Sequence, residues 1–184
     1  MKNNFVSKIF LLITPIVFVC NSCFSSAAMH QPQNNEQINE IINGETYRIT
    51  NVMASKSLRP YNALKNDGNK IILYNSHWWK CMTWKFNKIS DNKYLLQNVY
   101  TGKSFIPNGE CQEGATCVQQ VTSSSPLQVW EFTLLENGHY NIKLSGTDLY
   151  LSAISDELNS LPVLMSNKNL KGQEWILVKQ HPLF

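Results

Sequence analysis

One period dominates this chain. Tyr47, Tyr94 and Tyr140 open three similar segments, 47 and 46 residues apart. Tyr47-Arg48-Ile49-Thr50-Asn51-Val52 resembles Tyr94-Leu95-Leu96-Gln97-Asn98-Val99, and Tyr140-Asn141-Ile142-Lys143-Leu144 begins a third copy. Each copy then turns through small residues and takes a second apolar step. These steps are Ala54-Ser55-Lys56-Ser57-Leu58, Thr101-Gly102-Lys103-Ser104-Phe105 and Gly146-Thr147-Asp148-Leu149-Tyr150-Leu151. Each copy ends on a tryptophan, in Met82-Thr83-Trp84, Gln128-Val129-Trp130 and Gln173-Glu174-Trp175. A repeat of this length is one supersecondary unit that cannot bury its apolar face alone, so the copies must fold together.

Within a copy the apolar residues alternate over short runs separated by Gly, Asn, Asp and Ser. Tyr47, Ile49 and Asn51 project one way, Arg48 and Thr50 the other. No segment sustains a helical period, so the chain reads as all-β, with roughly four short strands per copy and about twelve in all. Propellers are usually built from at least four blades, which leaves the β-trefoil for three repeats of about 46 residues. In that fold Ile49, Leu96 and Ile142 form one core layer. Leu58, Phe105 and Leu151 form a second, and Trp84, Trp130 and Trp175 a third. The three tryptophans are therefore expected in the core, not on a sugar.

The segment before the repeats has a different character. Lys2 and Lys8 precede the apolar run Ile9–Val19, and Ser26 and Ala28 stand at the −3 and −1 positions of a cleavage site. Residues 1–28 read as a secretory signal peptide; eleven apolar residues are too few to span a bilayer, which needs about 20. A polar, Gln/Asn-rich leader is expected over 29–43, the domain over 44–179 and a short tail over 180–184. The expected location is secreted or extracytoplasmic, with no membrane span in the mature chain. Removing Lys2 and Lys8 lowers the 16 basic residues to 14, against 13 acidic ones. A nearly neutral chain offers no nucleic-acid footprint.

Of the five cysteines, Cys20 and Cys23 leave with the signal. Cys111 and Cys117 close a short loop and are the expected disulfide in an oxidising setting. Cys81 reads as a small buried hydrophobe. The four histidines have neither metal spacing nor an orienting partner, and no Gly-rich phosphate loop is present. No catalytic residue, metal or cofactor is assigned.

The Gln-x-Trp endings, the Tyr-x-Ile/Leu-x-Asn-Val starts and the Thr101-Gly102-Lys103-Ser104 turn resemble the ricin-type (R-type) lectin β-trefoil over residues 44–179. The resemblance implies carbohydrate binding without catalysis. It also implies an Asp after the second apolar step to accept sugar hydroxyls, and an aromatic ring farther along to stack on the sugar. This chain has Arg59, Ile106 and Ser152 at the Asp positions, and Tyr74, Gln120 and Met165 at the aromatic ones. Only the first copy is aromatic, in Tyr74-Asn75-Ser76-His77-Trp78-Trp79. Trp78 and Trp79 are surplus to the core, and adjacent extended residues face opposite ways, so at least one is expected at the surface. The candidate sugar site is Tyr74, Asn75, His77, Trp78 and Trp79, with Arg59 and Tyr61 as neighbours. The chain also looks similar to the receptor-binding subunits of cytolethal distending toxins, which are exported trefoils with degenerate sugar sites. The partners implied are cell-surface glycans or glycoproteins and other toxin subunits. The competing reading is a trefoil that docks proteins and has lost its sugar.

Overall fold

A computed structural model of the chain describes residues 40–182. These fall within one compact unit, Asn35–Phe184. The expected signal peptide and most of the leader lie outside the described residues.

The alternation becomes twelve strands. They are β1 (Thr46–Asn51), β2 (Ser57–Pro60), β3 (Ile71–Tyr74), β4 (Thr83–Ser90), β5 (Lys93–Asn98), β6 (Ser104–Pro107), β7 (Cys117–Gln120), β8 (Val129–Leu134), β9 (Tyr140–Leu144), β10 (Leu149–Ser152), β11 (Val163–Ser166) and β12 (Trp175–Lys179). Six of them close into a ring. β1 pairs with β12 and β4, β4 with β5, β5 with β8, β8 with β9, and β9 with β12. Closure leaves the barrel without an open edge. The other six form three hairpins, β2–β3, β6–β7 and β10–β11. Single bridges, Lys70 to Val118 and Thr116 to Val163, join neighbouring hairpins. This is a β-trefoil.

The three expected layers are the core. Ile49, Leu96, Ile142, Leu58, Phe105, Leu151, Trp84, Trp130 and Trp175 are all fully buried. Trp84 Nε1 donates to the Leu58 carbonyl at 3.2 Å and Trp175 Nε1 to that of Leu151 at 3.0 Å. Each tryptophan thus fastens its own hairpin to the barrel, and a buried N–H is satisfied at the same time. The equivalent Trp130 Nε1 is buried without a hydrogen-bond partner among the described residues.

The asparagine that ends the first two repeat openings has a structural role. Asn51 Nδ2 donates to the carbonyls of Gly172 (2.9 Å) and Glu174 (3.2 Å), in the last turn of the third copy. Asn98 Nδ2 donates to Cys81 (2.9 Å) and Thr83 (3.5 Å), in the last turn of the first. Each asparagine therefore ties its copy to the preceding one around the pseudo-threefold axis. Leu144 takes this place in the third copy and is fully buried, so an apolar side chain stands there in place of the amide.

Two boundaries differ from the sequence expectation. Ile41 is buried, and its carbonyl accepts from Tyr94 Oη at 3.4 Å. The packed domain therefore begins a few residues before Gly44. At the other end Gln180 is fully buried and is part of the domain. The cysteines also depart from expectation. Cys111 and Cys117 are both unpaired, Cys111 exposed and Cys117 buried. The register of β7, with Cys117 opposite Pro107, turns its sulfur into the core, while Cys111 stays in the surface loop. Burial pushes the Cys117 thiol up to about 12.

Candidate functional site

The site is built from the β2–β3 hairpin and the loop that follows it. Arg59 stands opposite Ile72, and Tyr74 opposite Ser57, at the mouth of the hairpin. Ser57 Oγ bonds Thr50 Oγ1 at 2.9 Å and Ser76 Oγ at 2.7 Å. This hydroxyl chain anchors the start of the loop. The loop ends in a 3-10 turn, Lys80–Met82, preceded by Trp79. Thr83 Oγ1 donates to the Trp79 carbonyl at 2.9 Å and fixes that end.

Between these anchors the aromatic side chains converge. His77 stacks on Trp79, with ring centres 4.1 Å apart and planes inclined by 15°. Tyr74 lies 6.3 Å from His77 and 6.4 Å from Trp79. The Arg59 guanidinium sits 4.7 Å from the Tyr74 ring centre and 5.7 Å from that of Trp79. Cation–π attraction at such distances holds a charged group whose hydration has been reduced. Trp79 remains 36% exposed, so its ring is both fixed and available.

Trp78 and Trp79 lie near different arginines. Trp78 is half-buried and lies 5.7 Å from the Arg48 guanidinium on β1. Asn75 is exposed in the loop. Tyr61 is exposed too, beyond the end of β2, where it lines a depression of about 460 Å³ with Asn66, Lys70 and Asn159. Of the expected set, the geometry therefore gathers Arg59, Tyr74, His77 and Trp79 into one cluster. Trp78 backs the loop, and Tyr61 stands elsewhere.

A residue that sequence reasoning missed holds this loop in place. Copies two and three keep the glutamine of Gln-x-Trp, and each clamps the loop before it. Gln128 Nε2 donates to the Val121 carbonyl at 2.7 Å, and its Oε1 accepts from Ser123 N at 2.8 Å. Gln173 does the same with Ser166 (2.9 Å) and Lys168 (2.8 Å). Copy one has the buried apolar Met82 instead. Gln180, one residue past β12, supplies the missing amide. Its Nε2 donates to Thr83 Oγ1 at 2.7 Å, and lies 3.4 Å and 3.5 Å from the carbonyls of His77 and Trp79. Its Oε1 accepts from Arg48 at 3.3 Å. Gln180 N donates to the Thr46 carbonyl at 2.9 Å, and Thr46 Oγ1 donates to the carbonyl of Gln180. The signal was a glutamine just beyond the last strand in a chain whose first copy lacks one.

The site is cationic. Neither Arg48 nor Arg59 has a carboxylate at ion-pair distance among the described residues. Burial draws the Arg48 guanidinium below its ordinary value. Burial pushes the neighbouring Cys81 thiol up, with the Arg59 charge opposing it. A thiol held protonated is a poor nucleophile. No group of His, Cys, Asp and Glu among the described residues could hold a metal, and no helix there is long and apolar enough to cross a membrane.

The equivalent positions in the other copies offer different surfaces. In copy two Ile106 faces Val118, and Gln120 faces Ser104. In copy three Ser152 and Met165 line an apolar depression of about 250 Å³ with Met53, Ile154 and Leu170.

Residues 80–163 match the model of the ricin-type β-trefoil lectin domain-like family. Solved structures extend the likeness over the whole domain. The designed threefold-symmetric protein ThreeFoil aligns with a TM-score of 0.70 at 23% identity, covering 73% of this chain and 98% of its own. The ricin B-like lectin of Macrolepiota procera, solved in complex with lactose, gives 0.67 at 21% identity, covering 76% of this chain and 99% of its own. A mosquitocidal holotoxin gives 0.68 at 19% identity, covering 77% of this chain but 18% of its own. No curated protein matches the chain in sequence. The chain has the β-trefoil fold, and its residues 80–163 resemble the ricin-type lectin domain-like family. The family match starts at Lys80, immediately after the aromatic loop.

Proposed function

We propose that the protein is a secreted carbohydrate-binding module with one working sugar site, formed by Arg59, Tyr74, His77 and Trp79 in the first copy. The observation that carries this reading is the partly exposed Trp79 ring, stacked on His77, close to the Arg59 guanidinium and held at its backbone by Gln180. A rigid, accessible ring matches the apolar face of a pyranose and loses little entropy on binding. The ricin-type lectin-like match and the lectin structures of the same fold support the reading.

Binding of the intact protein to a glycan array, beside Trp79→Ala, tests the proposal. Glycan binding lost in the variant with an unchanged melting temperature supports it. An array with no glycan bound by the wild type overturns it.

In its fuller form the proposal makes the protein the cell-binding subunit of a multi-subunit toxin of the cytolethal distending type. The signal-like segment 1–28 and the presence of this fold within a mosquitocidal holotoxin support that form. Capture of a nuclease-like subunit by the intact protein tests it. The apolar depression around Met165 and Ile154 favours a second reading, in which the third copy docks a protein. Sugar binding at copy one and docking at copy three would then coexist.

A further inference from the structure

The sugar this site takes carries an anionic group. We infer that Arg59 recognises a carboxylate or sulfate on the glycan, in place of the acid that would accept neutral sugar hydroxyls; the inference rests on the carbohydrate-binding reading above. Three observations lead to it. Arg59 follows the Leu58 step, and the Leu58 carbonyl is the acceptor of Trp84 Nε1, as that of Leu151 is for Trp175. This equivalence aligns Arg59 with Ser152 of the third copy, on the hairpin that carries the Tyr74, His77 and Trp79 rings. The side chain is only 8% exposed, yet no carboxylate among the described residues pairs with it. Among the described residues its one side-chain hydrogen bond is from Nε to the Pro60 carbonyl, 3.2 Å.

An arginine carries five N–H donors in a planar fork. Here one donor is used, and none of the nitrogens is sealed away from solvent without a partner. The remaining fork lies beside the rings of Tyr74 and Trp79, within cation–π distance of both. The acid-bearing loop 155–160 is tied to β3, with Leu73 N donating to the Ser160 carbonyl at 2.9 Å and Asn159 N to that of Leu73 at 2.9 Å. Even so, neither Asp156 nor Glu157 reaches Arg59 at ion-pair distance. A planar, preoriented, unpaired cation is suited to a bidentate oxyanion and repels no acidic sugar. The same fork has no acceptor to offer a neutral sugar hydroxyl. Stacking on Trp79 would hold the ring while Arg59 takes its charge.

The test titrates the intact protein with lactose, sialyllactose and sulfated lactose, for the wild type, Arg59→Gln, Arg59→Lys and Trp79→Ala. At least one acidic ligand should bind about tenfold or more tightly than lactose, the effect of one charge-assisted contact. That preference should disappear in Arg59→Gln and be partly kept in Arg59→Lys, which retains charge without the fork. Sialyllactose and sulfated lactose distinguish carboxylate from sulfate as the source. Lactose bound as tightly as both acidic forms by the wild type overturns the anionic inference and leaves the carbohydrate reading standing. No binding of any of the three, nor of any glycan on an array, overturns both together. Should Arg59→Gln fail to fold, the wild-type comparison of acidic and neutral ligands still decides.

Discussion

The first and third copies share one backbone plan and differ at the surface that plan presents. In copy one the mouth of the hairpin holds Arg59, Tyr74, His77 and Trp79. In copy three the same place holds Ser152 and Met165 in an apolar depression. The difference is also one of support. Copy three clamps its loop with its own Gln173, whereas copy one has the loop clamped from outside by Gln180. A pseudo-symmetric fold therefore does not impose symmetric sites. The core layers keep the barrel closed, which leaves each hairpin mouth free to acquire or lose chemistry.

The comparison is tested most severely at the core. Trp84→Ala should lower unfolding free energy by about 3–5 kcal/mol, the range for removing a large buried aromatic. Urea denaturation followed by circular dichroism would measure it. Trp79→Ala, five residues away, should change stability by less than about 0.5 kcal/mol, as surface substitutions do.

Next in size is Gly172→Ala. A methyl there would stand 2.3 Å from the Ala153 carbonyl oxygen. The expected destabilisation is about 1–3 kcal/mol, typical of overpacking against backbone. Because Gly172 belongs to copy three, glycan binding at copy one should survive it, which a titration below the variant's melting temperature would check.

Gln180→Ala removes the clamp across copies. It leaves Thr83 Oγ1 and the loop carbonyls short of a donor, at a cost of about 1–2 kcal/mol. It should also weaken glycan binding several-fold through a looser Trp79, with hydrogen exchange at residues 77–79 rising in parallel. Unchanged binding would mean that the loop is held by its serines and Thr83 alone.

The smallest effect is electrostatic. The hydrogen bond with His139, 2.7 Å from Glu174 Oε2, holds the Glu174 carboxyl below its ordinary 4.5. A carboxyl depressed in the folded state stabilises above its unfolded value and loses that contribution as pH falls through the folded one. Acidification below about 4.5 should therefore lower the unfolding free energy less in Glu174→Gln than in the wild type, by about 0.5 kcal/mol for a partly exposed pair, as urea denaturation at each pH would measure.

The sequence made the fold legible because its markers are periodic. Tyr47, Tyr94 and Tyr140, with Trp84, Trp130 and Trp175, locate every barrel strand pair and all three layers without any tertiary information. The aromatic cluster was legible in part. Surplus tryptophans beside Tyr74 pointed to the loop, and strand alternation anticipated that Trp78 and Trp79 would diverge. Tyr61 stands two residues from Arg59 in sequence, but β2 ends at Pro60 and Tyr61 enters a 3-10 turn, where it lines a different depression. Gln180 was legible only as a glutamine beyond the last strand; its role was not, since its bond to Thr83 spans 97 residues and depends on β12 lying beside β1. The cysteine pairing failed for a related reason: loop length alone brings Cys111 and Cys117 close, but strand register decides which way a sulfur faces.

The central claim is that one copy of the three binds sugar. Its most direct test is glycan binding by the wild type, Trp79→Ala and Met165→Ala, measured side by side with melting temperature. The account predicts binding by the wild type and Met165→Ala, loss in Trp79→Ala, and intact folding in all three. Binding that survives in Trp79→Ala and disappears in Met165→Ala would move the site to copy three and contradict it.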